Sequence, residues 1–400
     1  MNNTMSEYGP LTACRVCGGL MEITLSLGLS PPANRLASSA SEQVTRFPLG
    51  LSECQACGLV QNTISLPTDV LFDDQYPYLS SVSRMVRENA AELAARLAGC
   101  LPNGARALEI GSNDGTAQVA LAAHGILCLG VDPAATAVAH ARDRGCFSYC
   151  RPFDAKAVEM VLAMFGSVDA VLMSNVLAHV PEPVKMLAAV REVLAPGGLV
   201  VIEVQSWRSL VARGAFDMVY HEHHAHFSLG TILRLLERTG FTAVDMQETS
   251  AQGGSIRLWC RVGSDHDRAI LAEALIESEE LEGAQARLGA AVATFRADAG
   301  EFRRKQSGRI VAGFGAAAKT VTLLATCESD LDIVCVADNA TSKIGRYLPI
   351  FSVPIVSPEV MIAHDPDAIV LFAWNLAEEI VPTLPGREIW APFPRFRRLA

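Results

Sequence analysis

One pattern, used twice, limits what this chain can fold into. Arg106-Ala107-Leu108-Glu109-Ile110 is a short apolar run that enters the turn Gly111-Ser112-Asn113-Asp114-Gly115. A helical stretch follows at about 116–124, and Leu127-Cys128-Leu129-Gly130-Val131-Asp132 closes the unit on an acid. Further on, Arg309-Ile310-Val311-Ala312-Gly313-Phe314-Gly315 leads into Ala316-Ala317-Ala318-Lys319-Thr320, and the run 332–337 ends in Asp338-Asn339. Strand, glycine turn, helix and parallel strand in that order build a doubly wound α/β sheet. Strands at 169–174 and 199–204, with a helix at 183–194 stopped by Ala195-Pro196-Gly197-Gly198, extend the first unit. A strand at 367–372, ending in Trp374-Asn375, extends the second. At 400 residues the chain exceeds one core, so two or three domains are expected.

Helical periodicity also runs over 83–101, up to Pro102-Asn103-Gly104. A strand at 253–259 is entered through Gly253-Gly254, and the charge-laced stretch 269–302 reads as one long helical connector.

The first glycine turn is not G-x-G-x-x-G and has no Walker lysine, which disfavours a phosphate cradle. Gly111 and Gly115 let a ligand press on the backbone, with Ser112 and Asn113 between them. Asp132 can accept from ribose hydroxyls. Glu109 places a negative charge beside the ligand, repelling a pyrophosphate and suiting a sulfonium. S-adenosylmethionine (SAM) fits better than NAD. Ligands in such sheets sit at the carboxyl ends of the strands, where Asn175, His179 and Gln205 also fall. A histidine such as His179 is otherwise a satisfied structural residue.

Cys14-Arg15-Val16-Cys17-Gly18 and Cys54-Gln55-Ala56-Cys57-Gly58 are two C-x2-C knuckles. Two such pairs close a tetrahedral, structural zinc site of Cys14, Cys17, Cys54 and Cys57. The long gap between them requires a small inserted subdomain. The loops Pro31-Pro32-Ala33-Asn34-Arg35 and Tyr76-Pro77-Tyr78-Leu79-Ser80-Ser81 lack periodicity; they either line a cleft or merely connect.

Tyr220-His221-Glu222-His223-His224-Ala225-His226 holds four of the nine histidines. Such a cluster is a metal site, an acid/base centre or a solvated surface run. His221 and His223 are poorly placed to share an ion on either a strand or a helix. In the second unit, Lys319, Lys343 and Arg346 either hold nucleotide phosphates or are solvated charges.

A net charge of −10 and a pI near 5.4 argue against nucleic-acid or anionic-membrane partners. No apolar run reaches the roughly 20 residues of a bilayer span, and residues 1–10 lack signal-peptide order. A cytoplasmic setting is expected, in which the eleven cysteines are metal ligands or buried thiols.

Taken together, these segments resemble the SAM-dependent C-methyltransferases of deoxysugar biosynthesis, which act on nucleotide-linked 4-keto sugars. The resemblance runs nearly the full length. It rests on both C-x2-C pairs, Tyr76-Pro77-Tyr78, the turn from Glu109 to Gly115, Asn175-Val176-Leu177-Ala178-His179, Tyr220-His221-Glu222-His223, Gly313 to Lys319, and Trp374-Asn375-Leu376. It implies a zinc module over 1–75, a methyltransferase domain over 76–265, and a C-terminal Rossmann-like domain over 266–400 that binds no methyl donor. By that resemblance Glu109, Gly111, Ser112, Asn113, Gly115, Asp132 and Asn175 hold SAM. His223 is the base, with Tyr76, His179, Tyr220 and Glu222 around the sugar. Asn34, Tyr78, Lys319, Lys343, Arg346, Trp374 and Asn375 belong to a dTDP-linked 4-keto sugar, methylated at C-3. His224 and His226 depart from the family, which carries apolar or aromatic residues there. The oligomeric state is left open, a monomer being admitted. Methylation at oxygen or nitrogen, or a non-catalytic sugar-nucleotide protein, are the competing functions.

Overall fold

The computed structural model describes residues 9–72 and 76–400; the polar stretch 1–8 and residues 73–75 lie outside it. The gap between the cysteine pairs is filled by the antiparallel strands β1 (Met21–Ser30) and β2 (Phe47–Cys54), with β3 (Val60–Asn62) beside β2. Each knuckle turns on a left-handed glycine, Gly18 at φ +77° and Gly58 at φ +73°.

The middle sheet contains β4 (Arg106–Ile110), β5 (Leu127–Asp132), β6 (Phe147–Cys150), β7 (Val168–Ser174) and β8 (Leu194–Gln205). After the two-residue β9 (Ala225–His226) come β10 (Phe241–Thr249) and β11 (Ser255–Val262). The sheet order is β10-β11-β8-β7-β4-β5-β6, parallel except for β11, which runs antiparallel to both neighbours. β8 starts earlier than the sequence suggests. Ala195-Pro196-Gly197-Gly198 sit within it, and the register break between Val168 and Ala170 absorbs them.

The expected single connector is two helices, Arg268–Glu280 and Ala284–Lys305, because Gly283 adopts φ +68° between them. The third sheet is β12 (Val311–Phe314), β13 (Ile333–Ala337), β14 (Ile355–Val356), β15 (Ala368–Leu371), β16 (Ile389–Ala391) and β17 (Arg397–Arg398). Its order is β14-β13-β12-β15-β16-β17, parallel up to the final antiparallel pair.

The first sheet is completed from the middle of the chain. β9 pairs with β3, Val60 opposite His226 and Gln61 opposite Ala225. Asn62 extends this contact: its backbone N–H donates to the His224 carbonyl at 3.1 Å and its Nδ2 to the Tyr220 carbonyl at 2.9 Å. The sheet therefore crosses the boundary drawn at residues 75 and 76. Apolar burial follows the same path. Leu27, Leu49 and Leu51 share a core with Phe216, Phe295 and Val321, while Cys14, Cys54 and Leu59 pack with Phe227 on the middle domain.

Candidate active site

In the zinc module the Sγ atoms of Cys14 and Cys57 lie 3.6 Å apart, and those of Cys17 and Cys54 3.4 Å. All four sulfurs fall within 4.8 Å of one another. A tetrahedral zinc with ~2.3 Å bonds to sulfur has edges of roughly 3.8 Å, so the donor set fits the ion. Backbone N–H groups of Val16 and Gly19 point at the sulfurs of Cys14 and Cys17, at 3.4 and 3.3 Å. Gly19 leaves little room for a side chain: a Cβ there would stand 3.1 Å from the Cys54 sulfur and 3.2 Å from that of Cys17. The position is closed and structural.

A cavity of about 870 Å³ opens where the middle and third sheets meet. Its floor is the first glycine turn. Gly111 adopts φ +68°, and a Cβ there would strike Val176 at 2.4 Å. Asn113, at φ +48°, donates its backbone N–H to Asp132 Oδ2 at 2.9 Å, and Ala134 N–H reaches Oδ1 at 2.8 Å. Each Asp132 oxygen keeps a lone pair for a ribose hydroxyl. Glu109 Oε2 and Ser112 Oγ are buried without partners. Burial, then the nearby Asp132 and Asp114, raise the Glu109 carboxyl well above its usual range. A cationic sulfonium relieves that strain and a pyrophosphate worsens it. The turn fits SAM.

A buried ion pair braces this floor. Arg257 Nε donates to Glu203 Oε2 at 2.7 Å, with both side chains fully buried. Asn89 Nδ2 and Asn175 Nδ2 donate to Glu203 Oε1 at 2.9 and 3.4 Å, and both asparagines line the cavity.

The histidine stretch divides its side chains between two tasks. His223 reaches the cavity. Its Nδ1 lies 2.8 Å from the Met218 carbonyl, which can only accept, so Nδ1 carries the proton. Nε2 is thus the basic nitrogen, and it accepts from the Tyr220 hydroxyl at 2.8 Å. Burial, with His179 and His226 close by, lowers His223 well below 6.5, so the ring is neutral. His179 meets it edge-on at 4.8 Å, lowered by burial to about 4 and with its Nδ1 unpartnered. Burial likewise keeps Tyr220 a phenol.

His221 and His224 face the zinc module. His221 Nε2 donates to the Pro48 carbonyl at 3.1 Å, and His224 lies 3.4 Å from Ser65 Oγ. His226 belongs to β9, its ring between Trp207 and His223 at 5.7 and 5.9 Å. The thickened cluster is thus an inter-sheet seam, with one member turned to the cavity.

Glu222 is fully buried and does not line the cavity. Its Oε1 accepts from Asn34 N–H and Asn34 Nδ2 at 3.1 and 3.3 Å, and burial lifts it to about 7. It holds Asn34, which does line the cavity, and has no bond to the His223 ring. Tyr76, Tyr78 and Gln205 also line it. The Tyr76-Pro77-Tyr78 loop is fastened to the glycine turn, since Asn113 Nδ2 donates to the Tyr78 carbonyl at 3.1 Å and Ser80 N–H to Asn113 Oδ1 at 2.8 Å.

From the third sheet come Lys319 and Lys343, beside the N-terminus of the helix Ala318–Cys327. The second unit repeats the first: Ala316 N–H donates to Asp338 Oδ2 at 2.8 Å, as Asn113 does to Asp132. Here, however, Lys343 Nζ occupies the same Asp338 oxygen at 3.2 Å, leaving the acid unfit for a ribose. Gly115, Arg346, Trp374 and Asn375 do not line the cavity. Gly115 caps the helix Thr116–Ala122, and Arg346 stands near Glu42. Trp374 and Asn375 lie behind Lys319, whose Nζ donates to Asn375 Oδ1. Sequence reasoning missed Asn89 and Gln252, both on the cavity, and the Met218 carbonyl. Gln252 carried one signal, the two glycines after it, which accompany its left-handed φ of +53°.

Residues 14–72 match a putative zinc binding domain, residues 82–246 a methyltransferase domain, and residues 250–390 a C-methyltransferase C-terminal domain. Over 394 residues the chain is 32% identical to the C-methyltransferase NovU of Streptomyces niveus, covering 93% of this chain and 92% of that protein. The chain belongs to the C-methyltransferase family. Among solved structures, magnesium protoporphyrin IX methyltransferase from Synechocystis PCC 6803 with bound SAM is 17% identical, over 44% of this chain and 78% of that one, at a TM-score of 0.34. A SAM-dependent methyltransferase from Mesorhizobium loti is 21% identical, over 44% and 99%, at 0.35. This C-methyltransferase is SAM-dependent and carries a structural zinc. Among the described residues no helix is long and apolar enough to cross a membrane.

Proposed function

We propose that this C-methyltransferase transfers a methyl group to the carbon beside the ketone of a dTDP-linked 4-keto deoxysugar. The observation that carries the reading is a neutral histidine of fixed tautomer, His223, in the same cavity as the SAM turn and two lysines of the third sheet. Bound SAM supplies an electrophilic methyl carbon and departs as a neutral thioether.

Carbon becomes a nucleophile once a base takes the proton α to the ketone, and His223 Nε2 is that base. A depressed imidazole pays in driving force, about 1.36 kcal/mol for each unit of mismatch with the carbon acid. The enolate oxygen therefore needs donors, each worth roughly 2.7–4 kcal/mol when oriented beforehand. Tyr220, Tyr76 and His179 take that role. When the ketone oxygen accepts the Tyr220 hydroxyl, Nε2 is released to act. Asn34, held by Glu222, binds a sugar hydroxyl or amine, and Tyr78 closes over the sugar. Lys319 and Lys343 take the diphosphate, with Asn375 and Trp374 behind Lys319, and Arg346 lies outside this set. The same reading places the enzyme in the cytoplasm, with no nucleic-acid or membrane partner.

C-3 is the expected carbon, and C-5 also flanks the ketone. Mass spectrometry of products from a panel of dTDP-4-keto sugars, with NMR to locate the methyl, tests the substrate and the position. Solvent deuterium should enter the sugar without SAM. A methylated product formed with no such exchange would favour transfer to oxygen or nitrogen instead.

A further inference from the structure

Asp217 has no part in the zinc site or the SAM turn, yet it is fully buried. Its Oδ2 accepts from Trp374 Nε1 at 2.7 Å, and its Oδ1 has no partner. The Trp374 ring lies 5.0 Å from Lys319 Nζ, and the neighbouring Asn375 accepts from that same nitrogen. Thr322, on the helix that begins beside Lys319, donates to the Val219 carbonyl at 3.1 Å. The turn Phe216–Met218 is thus clasped by the third domain, and its Met218 carbonyl also accepts from His223 Nδ1 at 2.8 Å. One short turn fixes both the basic histidine and the surroundings of the cavity lysine.

The electrostatics follow from burial. Asp217 is pushed up to about 6 and Lys319 down to about 8 by desolvation, and each draws the other back toward its charged form. Trp374 and Asn375 bring no charge, Tyr220 feels Asp217 but burial keeps it a phenol, and Lys343 is already paired with Asp338 and donates to the Ala316 carbonyl at 3.0 Å.

We infer that Asp217 is a positioning residue: with Trp374 it keeps Lys319 charged and aimed into the cavity, where the anionic part of the substrate is held. The inference rests on the sugar-nucleotide reading above. A lysine is cationic below its pKa and loses its charge as pH rises through it. Removing the adjacent anion lowers that pKa, so charge is lost at a lower pH.

The test is calorimetric binding of thymidine diphosphate to the full chain from pH 6 to 9, with SAM binding as the control for folding. Wild-type affinity should fall around pH 8. Asp217→Asn should bind as wild type at pH 6 and about fivefold more weakly at pH 8, the loss beginning about one unit earlier. Adding Lys319→Arg to Asp217→Asn should remove the pH dependence, since a guanidinium does not titrate there. An unshifted profile in Asp217→Asn, with binding lost in Lys319→Met, would overturn the role of Asp217 and leave the nucleotide reading standing. Wild-type binding by Lys319→Met would overturn both. Should Asp217→Asn lose SAM binding, Trp374→Phe takes its place. It removes the donor to Oδ2 and trims the ring beside Lys319, and wild-type affinity there would also defeat the inference.

Discussion

The Met218 carbonyl oxygen stands 2.8 Å from His223 Nδ1, five residues along the chain, and this contact decides which nitrogen of the ring is basic. An asparagine at 223 can satisfy the carbonyl and cannot take a proton. His223→Asn should therefore keep its fold and SAM affinity while losing turnover and solvent deuterium exchange into the sugar. Wild-type exchange in this variant would remove His223 from the reaction.

Tyr220→Phe deletes one enolate donor and leaves His223 Nε2 without its partner. Loss of one preorganised donor corresponds to a fall of about 10²–10³ in kcat. Steady-state kinetics should show that fall with KM for SAM unchanged.

The Arg257–Glu203 pair is buried at both ends, so removing one partner leaves an uncompensated charge. Arg257→Met should cost about 3–5 kcal/mol in denaturant unfolding, and Arg257→Met with Glu203→Gln much less. The double variant should also weaken SAM binding, because Asn89 and Asn175 then lose the carboxylate to which they donate.

Burial holds His179, His221 and His226 at about 4 and His224 at about 3. Below pH 6.5 an unfolded histidine takes up a proton that the folded one refuses. Each therefore withdraws up to about 1.36 kcal/mol of stability per pH unit as pH falls toward its folded value. Glu222, raised to about 7, acts oppositely: its contribution is lost as pH rises toward 7. NMR of histidine-labelled enzyme should show these rings neutral from pH 8 down to about 5.5. A ring among them that titrates near 6.5 contradicts the buried seam.

Chelation of zinc, or Cys57→Ser, should release the metal and lower the melting temperature. It should also reduce turnover, although no cysteine reaches the cavity, because β3 then holds β9 and the Tyr220 carbonyl less firmly. Metal analysis alongside thermal unfolding and activity checks this. Full turnover in metal-free enzyme would dissociate the module from the site.

The alternation of apolar runs and glycine turns made both Rossmann-like sheets legible, since period and punctuation are local. What escaped was long-range. β9 is two residues long and carries no periodicity, so nothing near His226 shows that it pairs with Val60. Glu222 sits next to His223 in the chain, yet its partner Asn34 is 188 positions away. Lys343 was legible as a cation, but its bond to Asp338 emerges only when the turn folds. The helix break at Gly283 lay within a charged helical pattern, where one glycine is weak punctuation.

The strand Ala225–His226 bears on how such enzymes are made and recombined. The knuckles leave the ribosome long before residue 226 does, so the edge of β3 waits through most of the synthesis of the middle domain for its neighbour. A chimera that exchanges the zinc module at the chain boundary near residue 75 would carry over a sheet cut for another enzyme's closing strand. The natural unit of exchange is the module together with the segment from Tyr220 to Phe227, two pieces of chain inherited as one.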